Sequence, residues 1–431
     1  MKSSIKTILA LLLFPLWVQA QRYVGGDISL LPTYEAHGVH YLDRSGTQVE
    51  PLPYFRLGAG WNAMRVRLFV DPSKASVADQ QEGVRQDLNY VTSLCQRIKD
   101  EGYALMLDFH YSDTWTDPGQ HSTPSRWASN DPVVLADSVY QYTRNCLEHL
   151  KNKGVTPDFI QPGNEVTFGM MWPTGHCYPD GSSYASSGSV TGTFDNFVSY
   201  LQAGVKACRE VCPTSKIVIH TELSTAWNAT TFYNTLANRV DYDIIGLSYY
   251  PDYHGPLSTL TDVLTTLESK HGDKNVMIVE TGYGSQWSLK GNYSTKVQAT
   301  WPLTETGQQQ FTLDLIATLA DYPKVIGLFW WMPEDNEFWT DQNPARSSWW
   351  DASLYTQTTG RPLSAMFELQ RFIGSDPTSI QSITIPTAKA GNRSTESNLP
   401  KWYNLRGQRI SSSSLPAKSI YIKDGKKVVV Q

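Results

Sequence analysis

The chain has 431 residues, among them 14 Trp and 23 Tyr, with 12% aromatic and 18% charged residues and a formal net charge of −5. The charged share lies below the usual ~25%, and Lys and Arg form no run, so neither nucleic acid nor an anionic membrane surface is an expected partner. A long, aromatic-rich, weakly charged chain suits a large core and a cleft lined by flat rings, which a neutral polymer can occupy.

At the N-terminus Lys2 and Lys6 precede an apolar run over 8–18 and the small-residue site Val18-Gln19-Ala20. This is the pattern of a secretory signal peptide removed before Gln21. The run is short for a bilayer, and no later stretch approaches the ~20 apolar residues of a transmembrane helix. Export is therefore expected, to the periplasm, the cell surface or the medium, and no Cys near the cleavage site supports a lipid anchor. The five cysteines, Cys95, Cys146, Cys177, Cys208 and Cys212, are odd in number and lack CxxC spacing. They read as buried free thiols rather than metal ligands. No cofactor is expected, and a monomer is.

Eight short apolar runs follow in order: 23–29, 63–69, 104–110, 159–165, 216–222, 244–250, 276–282 and 325–331. Helical patterns separate them, for example 84–102 before the third and 194–211 before the fifth. Strand and helix alternating eight times predict an α/β fold, the (β/α)8 TIM barrel. The runs end in Asp27, His110, Glu165, Glu222, Tyr250, Glu280 and Trp331, and in such barrels the C-terminal rim carries the active site. The stretches 111–130, 167–193 and 283–304 exceed the usual 2 to 6 residues of a βα connection and read as cleft walls. The catalytic barrel is assigned to 21–375. A Ser, Thr and Pro-rich linker follows over 376–398, then a small tail over 399–431 whose segments 402–410 and 419–430 read as short strands, the latter about an Asp-Gly turn.

Hydrolysis of a glycosidic bond needs a proton donor on one side and a carboxylate on the other. Glu165 in GNEV (163–166) and Glu280 in VMIVETGY (276–283) end separate strands and can supply both. A buried structural ion pair is the competing reading of such residues. For Glu222 the structural reading is preferred.

VGGDIS (24–29), MRVRLFVDP (64–72), LDFHYSDTWTDPG (107–119), QPGNEV (161–166), IGLSYYP (245–251), IVETGYG (278–284) and GLFWWMP (327–333) together resemble, in order, the motifs of glycoside hydrolase family 53, the endo-β-1,4-galactanases. The resemblance covers about residues 22–372. It implies a retaining mechanism with Glu165 as acid/base and Glu280 as nucleophile, acting inside the galactan side chains of pectin. In this reading Asn164 holds the substrate 2-hydroxyl, Arg65 and Tyr250 keep Glu280 ionised, and Glu165 has a raised pKa. Asp27 and His110 bind the sugar in the −1 subsite, and Trp115 and Trp331 offer stacking faces; Trp349 and Trp350 belong to core or rim. Two departures stand out. The stretch SQWSLKGNYSTK (285–296) has no acid where bacterial members often carry a calcium-type acidic loop, so no metal is carried over, and Met332 replaces a frequent acid. The tail resembles a sorting segment on exported proteins of one large group of Gram-negative bacteria. Mannan or glucan as substrate, or a polysaccharide-binding protein without catalysis, are the alternatives.

Overall fold

The computed structural model describes residues 21–185, 190–222, 225–336 and 352–374, and the backbone of four short strands between 402 and 430. Residues 1–20, expected to be a signal peptide, residues 376–398, expected to be a linker, and Trp349 and Trp350 lie outside the described residues.

Eight parallel strands close into a barrel: β1 (Tyr23–Asp27), β2 (Ala63–Leu68), β3 (Ala104–Phe109), β4 (Phe159–Pro162), β5 (Lys216–Glu222), β6 (Ile244–Tyr249), β7 (Asn275–Thr281) and β8 (Val325–Trp331). They neighbour one another in chain order, and β1 closes the ring by pairing with both β8 and β2. The main surrounding helices are α1 (Pro51–Leu57), α2 (Leu88–Asp100), α3 (Pro132–Asn152), α4 (Phe194–Val211), α5 (Ala226–Leu236), α6 (Leu257–Lys270) and α7 (Glu305–Ala320). This is the (β/α)8 barrel. Side chains at the helix starts satisfy the first free amides. Asp87, Asp131, Thr193, Thr225 and Thr304 each accept from a backbone N–H two or three residues on.

Two boundaries differ from the periodicity by more than two residues. Helix α2 starts at Leu88 rather than 84, because Asp87 caps it and the Gln86 carbonyl is held by the Phe69 amide. Strand β4 ends at Pro162 rather than Glu165, because the chain turns at Gly163, whose φ is +103°. A side chain at Gly163 would meet Val166 Cγ1 at 2.7 Å.

The large apolar cluster packs helices on strands. A smaller one, including Ala63, Met106, Phe159, Val218, Ile244 and Met277, draws on every strand from β2 to β8 and has Tyr23 of β1 packed on it. It fills the barrel interior, as a packed rather than hollow barrel requires. All five cysteines are buried free thiols. No described helix is long and apolar enough to cross a membrane. In the tail, Arg409–Ile410, Trp402–Tyr403, Ser419–Lys423 and Lys426–Val430 form an antiparallel sheet in that order. The Asp-Gly pair between the last two strands lies outside the described residues.

Candidate active site

Residues two apart on a strand share a face. Toward the C-terminal ends the interior-facing positions change from apolar to polar. Ala63 is followed by Arg65 and Arg67 on β2, and Met106 by Asp108 and, just past β3, His110. Phe159 is followed by Gln161 on β4, Val218 by His220 and Glu222 on β5, and Ile244 by Gly246 and Ser248 on β6. A buried polar layer therefore sits on the apolar filling, and every side chain in it needs partners.

Arg65 is the hub. Its Nη1 donates to Asp27 Oδ2 at 3.1 Å and lies 2.9 Å from Glu280 Oε1, while Nη2 donates to Asp108 Oδ2 and Asn164 Oδ1, both at 2.8 Å. Arg67 Nη1 donates to Asp27 Oδ1 at 2.6 Å. Asp27, Arg65, Arg67 and Asp108 are completely buried, and Asp27 and Arg65 do not line the cleft. This differs from the expectation that Asp27 binds the sugar, because both of its oxygens are taken by arginines below the floor, whereas Arg65 stands beside Glu280. Against its burial, Arg65 and His110 hold Asp108 below the usual carboxylate range.

Above this layer opens a cleft of about 380 Å³ whose lining includes Glu165, Glu280, His110, Asn164, Tyr250 and Glu222. Glu165 has φ +45°, and Tyr111 and Met332, just beyond β3 and β8, also have positive φ at 50° and 51°. Such conformations cost about 1–3 kcal/mol each and collect at functional sites. Here the turn at Glu165 brings its side chain to Ser248, whose Oγ donates to Glu165 Oε1 at 2.6 Å. His121 Nε2 holds the Glu165 carbonyl at 3.1 Å. Glu280 Oε2 accepts from the Tyr250 hydroxyl at 2.9 Å. Burial, then the charge of Glu280, raises the pKa of Glu165 well above the ordinary range. Burial pushes Glu280 up to about 7, with Arg65 and the Tyr250 hydrogen bond pulling the other way. Arg65 beside Glu280 alone favours ionisation there first, leaving the proton on Glu165.

His110 Nδ1 accepts from the Thr116 amide at 3.2 Å, which leaves Nε2–H to face Asp108 Oδ2 at the same distance. Asn164 Nδ2 donates to the Thr116 carbonyl at 2.7 Å. Trp115 and Trp331 both line the cleft and meet edge to face at 6.1 Å. The Arg67 guanidinium lies over both rings, 4.9 and 5.1 Å from their centroids, a cation–π arrangement that fixes their tilt. Glu222, read from sequence as structural, reaches the cleft wall and accepts a short hydrogen bond from Thr167 Oγ1. Sequence reasoning missed Arg67, Asp108, Gln161, His220 and Ser248. Their two-residue spacing from the apolar interior positions is the signal that finds them.

The loop walls are aromatic. Among the described residues the exposed aromatic side chains are Tyr178, Trp227, Tyr253, Trp287 and Tyr293, and all five follow a strand from β4 to β7. In the loop without acids, Ser288 and Ser294 instead donate to Asp252 Oδ1, at 3.4 and 2.5 Å. Among the described residues no group of three or more His, Cys, Asp or Glu is arranged to hold a metal ion.

Comparison with known proteins places the chain and its barrel in a family. The profile of Glycosyl hydrolase family 53 matches residues 23–369. Arabinogalactan endo-beta-1,4-galactanase A of Emericella nidulans is 32% identical over 339 residues, 76% of this chain and 89% of that protein. A probable arabinogalactan endo-beta-1,4-galactanase A of Aspergillus fumigatus is 33% identical over 77% of this chain and 89% of its own. Among solved structures, the Ignisphaera aggregans GH53 catalytic domain superposes with a TM-score of 0.70 at 28% identity, covering 82% of this chain and 96% of that one. A structure described under two fungal beta-1,4-galactanases gives 0.66 at 27%, covering 82% and 100%. The chain therefore belongs to glycosyl hydrolase family 53 and is a glycoside hydrolase.

Proposed function

We propose that this enzyme is an exported, retaining endo-β-1,4-galactanase acting on the galactan side chains of pectin. The observation that carries the reading is one cleft holding two unequal carboxyl groups: Glu280, held by Arg65 and Tyr250, and Glu165, without an arginine partner among the bonds described and raised by burial. The names of the relatives support the choice of sugar.

In the first step Glu280 attacks the anomeric carbon and Glu165 gives its proton to the departing glycosidic oxygen, leaving a covalent glycosyl-enzyme. In the second, the same Glu165 takes a proton from water, whose oxygen displaces Glu280 with a second inversion. His110 and Asn164 hold the sugar in the −1 subsite, Asn164 at the 2-hydroxyl, and Trp115 and Trp331 offer ring faces. Arg65 acts from below through Glu280. Residues 1–20 serve as the export signal, 376–398 as linker and 399–431 as a sorting appendage.

The test is reducing-sugar release from galactan, mannan, arabinan and cellulose, with proton NMR of the anomeric signal. Galactan cleavage giving β-configured sugar first is expected. Preference for mannan or cellulose would reassign the sugar, and α-configured product would remove the retaining mechanism.

A further inference from the structure

A closed ring of hydrogen bonds runs from the backbone of Glu165 back to its own side chain, on the side away from the cleft. The Glu165 amide lies 3.3 Å from His220 Nδ1, His220 Nε2 lies 2.8 Å from Ser248 Oγ, and Ser248 Oγ lies 2.6 Å from Glu165 Oε1. Ser248 and His220 are completely buried. Neither lines the cleft, and the two-step mechanism above does not use them. A register shift between Leu247 and Ser248 sets Ser248 opposite Glu280 on β7, and regular pairing sets it opposite Glu222 on β5. Gly246 makes the neighbouring space, since a side chain there would meet Val218 Cγ1 at 2.8 Å and the His220 Cα at 3.4 Å.

The polarity of the ring follows from its donors. A backbone N–H can only donate, and Gln161 Nε2 donates to the same Nδ1 at 3.1 Å. Asn164 Oδ1, 3.0 Å from Nδ1, is already served by Arg65. A neutral imidazole has one bare nitrogen and one N–H, so with Nδ1 accepting, Nε2–H donates to Ser248. The hydroxyl proton is then left for Glu165 Oε1. Burial and the neighbouring Arg65 charge keep His220 neutral, its pKa well below the ordinary value.

We propose that Ser248 and His220 are positioning residues for the acid/base: they hold Glu165 Oε1 as a permanent acceptor, so that the exchangeable proton resides on Oε2, toward the cleft. This rests on the reading of Glu165 as acid/base. The opposite polarity, with Nδ1–H donating to Asn164, makes Ser248 donate to Nε2. Glu165 must then carry its proton on Oε1, turned away from the glycosidic oxygen. The two polarities differ in which form of Glu165 the hydroxyl stabilises, and so in the sign of a measurable shift.

The charged and titratable groups facing Glu165 are Glu280 from β7, Glu222 from β5, Asp117 from the loop after β3 and Tyr250 just beyond β6. Those facing His220 are Arg65 from β2, Asp108 from β3, His110 just beyond it and His121 from the following loop. Ser248→Ala leaves all of them in place. The experiment is the pH dependence of kcat/KM on galactan for the wild type, Ser248→Ala and Ser248→Cys, whose thiol is a weak donor. For Ser248→Ala the alkaline limb should move up by about one pH unit, with kcat at the optimum reduced roughly tenfold and KM within about twofold. Ser248→Cys should move the limb the same way by less, and it carries the test if the alanine variant does not fold. An unmoved limb, or one moved to lower pH, overturns the proposal, the latter in favour of the opposite polarity. Glu165→Gln separates the two levels. If it still cleaves galactan, the acid/base reading fails; if it is inactive while the serine variants titrate like wild type, only the role of the ring fails.

Discussion

Replacing Tyr250 with Phe tests the electrostatics of the other carboxylate. The Tyr250 hydroxyl donates to Glu280 Oε2 at 2.9 Å, while Arg65 holds Oε1 at the same distance. A hydrogen bond to a charged group is worth about 1.5–3 kcal/mol, and one pKa unit corresponds to about 1.36 kcal/mol. Removing the hydroxyl leaves Arg65 in place but withdraws one stabiliser of the ionised form. The pKa of Glu280, already pushed up to about 7 by burial, should therefore rise by about 1 to 2 units. A nucleophile must be ionised, so its protonation sets the acid limb of kcat/KM for the free enzyme. That limb should move to higher pH. For a shift of one unit, activity at pH 6 should fall about tenfold relative to wild type, and recover as pH rises above the new limb. The assay is kcat/KM on galactan from pH 4 to 9, with the melting temperature followed to confirm folding. An acid limb that stays put or moves to lower pH would refute the argument that Tyr250 supports the ionised nucleophile.

Asp27→Ala should destabilise the protein by about 3–5 kcal/mol, read from urea unfolding, because it leaves two buried arginines short of a counter-charge; a cost below about 1 kcal/mol would remove Asp27 from its place as the shared counter-ion. With Glu165→Ala, azide should rescue cleavage of an activated aryl galactoside and give the β-azide, whereas Glu280→Ala should give the α-azide. Products of the opposite configurations in the two variants reverse the assigned roles. Deleting 376–431 should leave galactan turnover within about twofold, since every described cleft-lining residue precedes it; a tenfold fall in the folded protein would place the tail in the catalytic unit.

The eight-fold alternation of apolar runs and helical periods was enough to specify the barrel, because strands covered on both faces and helices covered on one leave different periods in the sequence. Glu165 and Glu280 were legible for a related reason. An acid closing an apolar run stands toward the C-terminal end of the barrel, and two such acids in a closed barrel share that end. What the sequence alone did not decide is the layer between rim and core. Arg67, Asp108, Gln161, His220 and Ser248 sit within largely apolar strands, and their partners come from other parts of the chain, such as Ser248 and Glu165 at a separation of 83 residues. Asp27 was misplaced as a sugar ligand for the same reason. Whether a carboxylate at a strand end meets substrate or a neighbouring arginine depends on the register that closes β1 onto β2, and that pairing of Asp27 with Arg65 exists only once the barrel is shut.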